Sequence, residues 1–226
     1  MLLLVGVLVQ ACSSEKDRQK EGGEAQHTAD SARSAQEYMH QQEIDELVKR
    51  FDNPQREMWQ KPQLVIRKLG PLKGKTVADI GAGSGYFTFP LSQVARQVIA
   101  VDVDSGFVEY LKQKRAVENA ENVEVRLAPF HSPNLQPGEV HIALMVNVFH
   151  HLEEPVRYLE NLHPGLKPEG ALFIVDFMPG DFPVGPPNRL KVSPEETRAA
   201  LQNAGFSAVK IDSTSLPYQY ILEAAP

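Results

Sequence analysis

The sequence predicts an α/β fold: a doubly wound, mostly parallel sheet of about seven strands, with helices on both faces and a helical lid ahead of the first strand. Three observations predict it. Short apolar runs alternate with helical stretches through most of the 226 residues. The run Val77-Ala78-Asp79-Ile80 ends in the turn Gly81-Ala82-Gly83-Ser84-Gly85. The next run, Val98-Ile99-Ala100-Val101, ends in Asp102, about twenty positions after the first glycine, which is the layout of a nucleotide-type ligand site at the carboxyl ends of parallel strands.

Residues 1–12 read as a leader. The first nine are nearly all aliphatic, a run too short to span a bilayer as a helix and similar to the apolar core of a secretory signal. Val9-Gln10-Ala11-Cys12 then resembles a bacterial lipobox, in which a small residue precedes a cysteine that becomes lipidated; Gln10 and the lack of a preceding Lys or Arg depart from that pattern. Cys12 is the only cysteine, which excludes an intramolecular disulfide framework and thiol chemistry in the folded domain. The expectation is a lipid anchor on Cys12 in the cell envelope, facing the periplasm, or a cytoplasmic protein if the leader is not a working signal. Residues 13–37 contain no Ile, Leu, Val, Met or aromatic residue, so they cannot bury apolar area and read as a disordered polar tether.

Residues 38–74 form the expected lid. Ile44, Leu47, Val48 and Phe51 fall on one helical face. Asp52-Asn53-Pro54 breaks the pattern, and residues 55–69 resume it, with Pro62 placed to split the stretch. Residues 70–74 turn into the main domain, 75–226. Its strands are expected at 76–80, 97–101, 123–127, 140–146 and 171–176, with two closing strands at 208–211 and 218–223, one of them antiparallel. The fourth is apolar from Ile142 to Val146, as suits a strand buried on both faces. Helices are expected at 86–95, 105–119 and 155–162, and from Ser193 to near Gly205. The last has the start signal Ser193-Pro194-Glu195-Glu196, with Ser at the N-cap, Pro at the first turn and Glu three residues on. Residues 166–170 read as a turn. Residues 179–191 are rich in Pro and Gly and form a long loop at a strand's carboxyl end, where such folds build substrate sites.

The glycine turn decides among ligands. Dinucleotide sites use G-x-G-x-x-G, whose third glycine lets helix and strand pack closely. Here Tyr86 or Thr88 stands in that place, depending on the frame, which opposes a nicotinamide oxidoreductase. An acidic residue followed by G-x-G-x-G instead resembles motif I of the class I S-adenosylmethionine (SAM) methyltransferases, of the small-molecule type and with a Rossmann-like fold. The resemblance runs from about Phe51 to the C-terminus. It implies SAM as cofactor, with Asp79 near its methionine end, Gly81, Ala82, Gly83 and Gly85 as its floor and Asp102 on the ribose hydroxyls. Leu127–Phe130 lacks the acidic residue that often meets the adenine, which leaves backbone groups and apolar packing from Val103 and Phe130.

Asn147-Val148-Phe149-His150-His151 follows strand four, where related enzymes face the transferred methyl. Asn147 is expected to serve both cofactor and catalysis. Val148-Phe149 replaces the Pro-Pro of amino-directed nucleic-acid methyltransferases, and a net charge of −6 gives no general basic footprint, so no nucleic-acid partner is expected. Either His150 or His151 can act as a base, or pack and cap the next helix. Asp176 can orient a histidine or the substrate, or cap a loop. Arg189 can pair with an acidic acceptor or stay solvated. Arg56 or Trp59 can close over the cofactor, or Trp59 can pack its helix against the sheet, and Tyr218 and Tyr220 can line the pocket or only pack. No metal is expected: His150, His151, Asp176 and His131 form no recognised ligand spacing, and adjacent histidines rarely converge on one ion. The expected function is methyl transfer from SAM to a small-molecule acceptor; the alternative is a non-catalytic, envelope-anchored binding module on the same fold.

Overall fold

The computed structural model describes residues 44–226. The expected leader, tether and first six residues of the lid lie outside them, Cys12 included.

Three short helices come first: α1 (Ile44–Phe51), α2 (Arg56–Gln60) and α3 (Pro62–Lys68). Pro62 does split the second stretch. Lys61 between the two helices is left-handed, at φ 45°, and Pro62 opens α3, where its missing N–H costs no hydrogen bond. Then follow β1 (Thr76–Ile80), α4 (Thr88–Ser92), β2 (Gln97–Asp102), α5 (Ser105–Val117), β3 (Val123–Leu127) and β4 (Val140–Val146). A 3₁₀ turn at Phe149–His151 leads to α6 (Pro155–Leu162), β5 (Leu166–Phe177), α7 (Pro194–Asn203), β6 (Ser207–Asp212) and β7 (Gln219–Ala225).

The strands form one seven-stranded sheet in the order β3-β2-β1-β4-β5-β7-β6. β1 to β5 are parallel, and β7 runs antiparallel to both its neighbours. The chain leaves β1 in opposite directions, to β2 and later to β4, which opens a crevice above the carboxyl ends of these two strands. Alternation along β1 feeds two cores. Ala78 and Ile80 pack with Leu159 and Leu162 of α6 and Leu201 of α7, while Val77 packs with Val65 and Ile66 of α3, Leu91 of α4 and Leu111 of α5. Helices thus cover both faces, as the fold class requires.

Most boundaries fall within two residues of expectation, and two elements differ by more. The helix after the glycine turn is only Thr88–Ser92, because turns continue through Phe87, whose ring is buried. Residues 166–170 belong to β5 rather than preceding it. Leu166 pairs with Val140 and Ala171 with Ile142, so the expected turn is present as a bulge that takes up Lys167 to Gly170. The α7 start forms as a capping box: the Ser193 hydroxyl accepts from the Glu196 N–H, and the Glu196 carboxylate accepts from the Ser193 N–H. Among the described residues no helix is long and apolar enough to cross a membrane.

Candidate active site

A cavity of about 700 Å³ opens over the carboxyl ends of β1, β2, β4 and β5. Its floor is the glycine turn. The Gly81 and Ala82 N–H groups donate to the Val101 carbonyl at 2.8 and 3.0 Å, strapping the turn to β2. Gly81 has φ 69°, and a Cβ there would sit 2.4 Å from the Val148 side chain; Gly83, at φ 53°, lies under the Phe51 ring. Both line the cavity with Ala82, Ser84 and Asp79. Gly85 does not reach it. A Cβ on Gly85 would meet Phe89 and Leu111, so this glycine lets the α4 and α5 side chains close up rather than forming floor.

Two carboxylates flank the floor. Asp102, at the end of β2, accepts from the Gly83 N–H at 2.8 Å through one oxygen and from the Asp104 N–H at 3.0 Å through the other. Burial pushes its carboxyl above the ordinary range despite these bonds. Asp79 is 3% exposed and accepts from the Thr88 hydroxyl at 2.6 Å. Burial, aided by the Asp102 charge, raises its carboxyl to about 6, with the Thr88 bond and Arg56 pulling the other way. Neither carboxylate forms a salt bridge with a described residue.

The lid helices sit against this floor. Phe51 stacks on Phe107 of α5 at 5.7 Å, and the Ser84 hydroxyl donates to Asp52, which also pairs with Lys114 at 3.3 Å. Arg56 lies over the Tyr86 ring at 4.0 Å and donates to the Phe51 carbonyl at 2.9 Å; burial lowers its guanidinium to about 10, so it remains a cation at neutral pH. The Tyr86 hydroxyl is buried beside the cavity with no hydrogen-bond partner among the described residues. Val103 and Phe130 reach the cavity, the latter 54% exposed.

At the β4 end, Asn147 is left-handed at φ 60°, and its N–H donates to the Val175 carbonyl. Its side chain closes a ring of three carboxamides, two of them, Gln60 and Gln219, fully buried. Gln60 of α2 donates to Gln219 of β7 at 2.7 Å, Gln219 donates to Asn147, and Asn147 donates back to Gln60 at 3.2 Å. The ring ties the lid to β4 and β7. Asn147 thus lines the cavity with its side chain already engaged.

Beside it stands a histidine–carboxylate pair. His150 Nδ1 lies 2.8 and 3.0 Å from the two Asp176 oxygens, and the N–H groups of His150 and Phe177 donate to the same carboxylate at 3.1 and 2.7 Å. Burial works to raise the Asp176 carboxyl, but His150 and these N–H groups outweigh it and hold it below the ordinary range. An ionised Asp176 fixes the proton on Nδ1, leaving Nε2 as acceptor. His150 lines the cavity with His151, whose ring lies 4.1 Å away. Trp59 lines it too and packs on Phe177 at 5.5 Å. Arg189 is exposed and outside the cavity wall, and Tyr220 is buried against Thr197, so both take the packing or solvated alternative. Tyr218 packs on Phe182 with the rings tilted, 5.3 Å apart. Among the described residues, no three His, Cys, Asp or Glu are grouped to hold a metal ion.

Residues 78–174 match the family model of the methyltransferase domain. A solved SAM-dependent methyltransferase from Aquifex aeolicus superposes with a TM-score of 0.75 at 29% identity, over 81% of this chain and 98% of that one. The fold is therefore a Rossmann-like methyltransferase fold. A Mycobacterium tuberculosis protein named as a probable S-adenosylmethionine-dependent methyltransferase is 29% identical over 151 residues, 64% of this chain and 53% of that protein. A tRNA U34 carboxymethyltransferase from Hahella chejuensis is 29% identical over 147 residues, 63% of this chain and 43% of its own length. The chain spans about half the length of the curated relatives it matches.

The site fits SAM. The segment that matches the family model offers glycine positions that a Cβ would fill and, among the described residues, a buried tyrosine hydroxyl without a hydrogen-bond partner and two buried carboxylates, pushed above the ordinary range, without a salt bridge.

Proposed function

We propose that this chain is a SAM-dependent methyltransferase acting on a small-molecule acceptor, with His150 as the base. One observation carries the proposal: the glycine cradle and His150, which Asp176 holds from behind, line a single cavity. Bound SAM supplies a methyl group made electrophilic by its sulfonium charge. Asp102 would hold the ribose hydroxyls, Asp79 the ammonium end, and Arg56 the carboxylate. Asp176 holds His150 in the tautomer that accepts a proton at Nε2, and the lid keeps water from the reacting atoms. A small acceptor is favoured over nucleic acid by the net charge of −6 and by a cavity of small-molecule size.

The test is calorimetric titration of SAM into the purified protein, with NAD as control. SAM is expected to bind at one site and NAD not at all; no heat with SAM refutes the proposal. We further propose that Cys12 anchors the chain to a membrane in the cell envelope. Cys12→Ser should move the protein to the soluble fraction, and an unchanged distribution refutes the anchor.

A further inference from the structure

We propose that the methyl acceptor is an uncharged aromatic molecule that presents a phenolic hydroxyl to His150. The inference rests on the SAM-dependent transfer proposed above and names the substrate class of that same cavity.

The loop after β5 sorts its side chains. Pro183, Val184, Pro186 and Leu190 line the cavity together with Phe177 and Trp59. The charged residues of the same loop are kept out of this wall. Asp181 and Arg189 are exposed, and the Lys191 ammonium lies over the Phe182 ring and donates to the Gly180 carbonyl. The charged residues that do line the cavity come from other segments: Arg50 and Arg56 from the lid, the acids of the glycine floor and β2 end, and Glu153 with the Glu154–Arg157 pair after the 3₁₀ turn, that pair meeting at 2.8 Å. A carboxylate-bearing acceptor therefore finds no cation on the loop wall, and a protonated amine finds no carboxylate there. Leaving either charge unpaired against an apolar wall is strongly unfavourable.

The wall is also built to hold its shape. A Cβ on Gly185 would meet the Phe177 ring at 2.7 Å, so the loop backbone lies directly on that ring. Gly180 donates to the Asn188 side chain at 2.7 Å, which closes the loop on itself, and the prolines limit its freedom further. Phe177 and Trp59 meet at 5.5 Å, and both line the cavity, so its wall is aromatic here. Phe177 follows Asp176 in sequence, and its N–H donates to the carboxylate that holds His150. The aromatic wall and the base are thus fixed to one another.

A phenol suits both. Its ring packs on the wall, and its hydroxyl has a pKa of about 10, which an imidazole can meet while the new bond forms. In the transfer the O–CH3 bond forms as the S–CH3 bond breaks, the electron pair of the broken bond stays on sulfur, and the phenolic proton passes to His150 Nε2.

Three naphthalene probes test the class: naphthol, a carboxylated naphthol and naphthylmethylamine. SAM is titrated first. Each probe is then titrated into protein saturated with S-adenosylhomocysteine, and separate SAM reactions are analysed by mass spectrometry for the methyl ether. Naphthol is expected to bind at least about tenfold more tightly than either charged probe and to yield the ether. Val184→Asp, checked for folding by its thermal melt, should weaken naphthol at least about tenfold while leaving SAM affinity within about twofold. If SAM binds but the charged probes bind as well as naphthol, or naphthol yields no ether, the inference is overturned and the transferase proposal stands. If SAM itself fails to bind, both fall together.

Discussion

Replacing Asp79 with Asn should stabilise the ligand-free protein and weaken its grip on SAM. Asp79 is 3% exposed and its carboxyl titrates near 6 instead of the ordinary 3.8. At about 1.4 kcal/mol per unit, a shift of about two units means that ionised Asp79 costs the folded state about 3 kcal/mol. The sign follows from proton binding. Between pH 4 and 6 the folded chain holds this proton and the unfolded chain has lost it, so stability falls as pH rises through that window and stays reduced above it. Asn resembles the protonated acid in shape and can still accept from the Thr88 hydroxyl, so it escapes the penalty. Urea unfolding of ligand-free protein should show the variant more stable by about 3 kcal/mol at pH 8, and nearly equal to the parent below pH 4. SAM binding should move the other way. A hydrogen bond to a charged partner is worth about 1.5–3 kcal/mol, so affinity should drop roughly ten- to hundredfold at pH 8. The parent's affinity should also fall about tenfold per pH unit below 6, and the variant's should not. Equal stabilities at pH 8, or SAM affinity unchanged by the substitution, would refute the reasoning.

Asp176→Asn should lower turnover by about 10²–10⁴ with SAM affinity unchanged, because an amide can donate to His150 Nδ1 and shift the ring proton to Nε2. Steady-state rates beside SAM calorimetry check this, and a parallel loss of SAM binding would point to misfolding. Asp102→Ala should weaken SAM at least about tenfold if its carboxylate holds the ribose; unchanged affinity removes that role. Gln60→Leu and Gln219→Leu should each destabilise by about 1–3 kcal/mol per carboxamide group left unpaired, yet the double variant should cost less than their sum by about 0.5–3 kcal/mol, since one break already opens the ring. Additive losses in denaturant unfolding would mean that the three amides act separately.

Much of the fold was legible because its strands are apolar runs punctuated by Gly, Pro and Asn, and because parallel strands must be buried on both faces. The glycine floor and Asp102 were legible for a related reason: close backbone approach and a strand-end acid are local requirements. Gly85 is not legible as a packing glycine, because the same local pattern serves either a ligand or a packing contact, and only the positions of Phe89 and Leu111 decide between them. The short α4 was hidden by Phe87, an apolar residue that fits a helical pattern but is buried from a turn. Asp176 was noticed as a strand-end acid. Its pairing with His150 needed the register of β4 on β5, which sets Val146 beside Val175. The carboxamide ring had no signal at all. Gln60 and Gln219 are 159 residues apart, and each reads as an ordinary polar residue until the sheet order brings β7 beside β5.

The three buried acids at and behind the cavity differ in what already satisfies them. Asp176 is held below the ordinary carboxylate range, with one histidine ring and two N–H groups aimed at it. Its charge is spent inside the protein, and its service to chemistry is to orient His150. Asp79 and Asp102 are held above that range, and no salt bridge with a described cation brings them down. A fold optimised only for stability would replace such acids with amides or apolar residues, because an uncompensated buried charge is a net loss. Their retention at the glycine floor makes sense when the missing positive charge arrives with the ligand, as the ammonium and sulfonium of SAM would provide. The loop wall, by contrast, turns its own charges away. The glycine floor therefore brings two buried acids to the ligand while the loop wall brings no charge, which is the division that a cationic methyl donor and a neutral acceptor require.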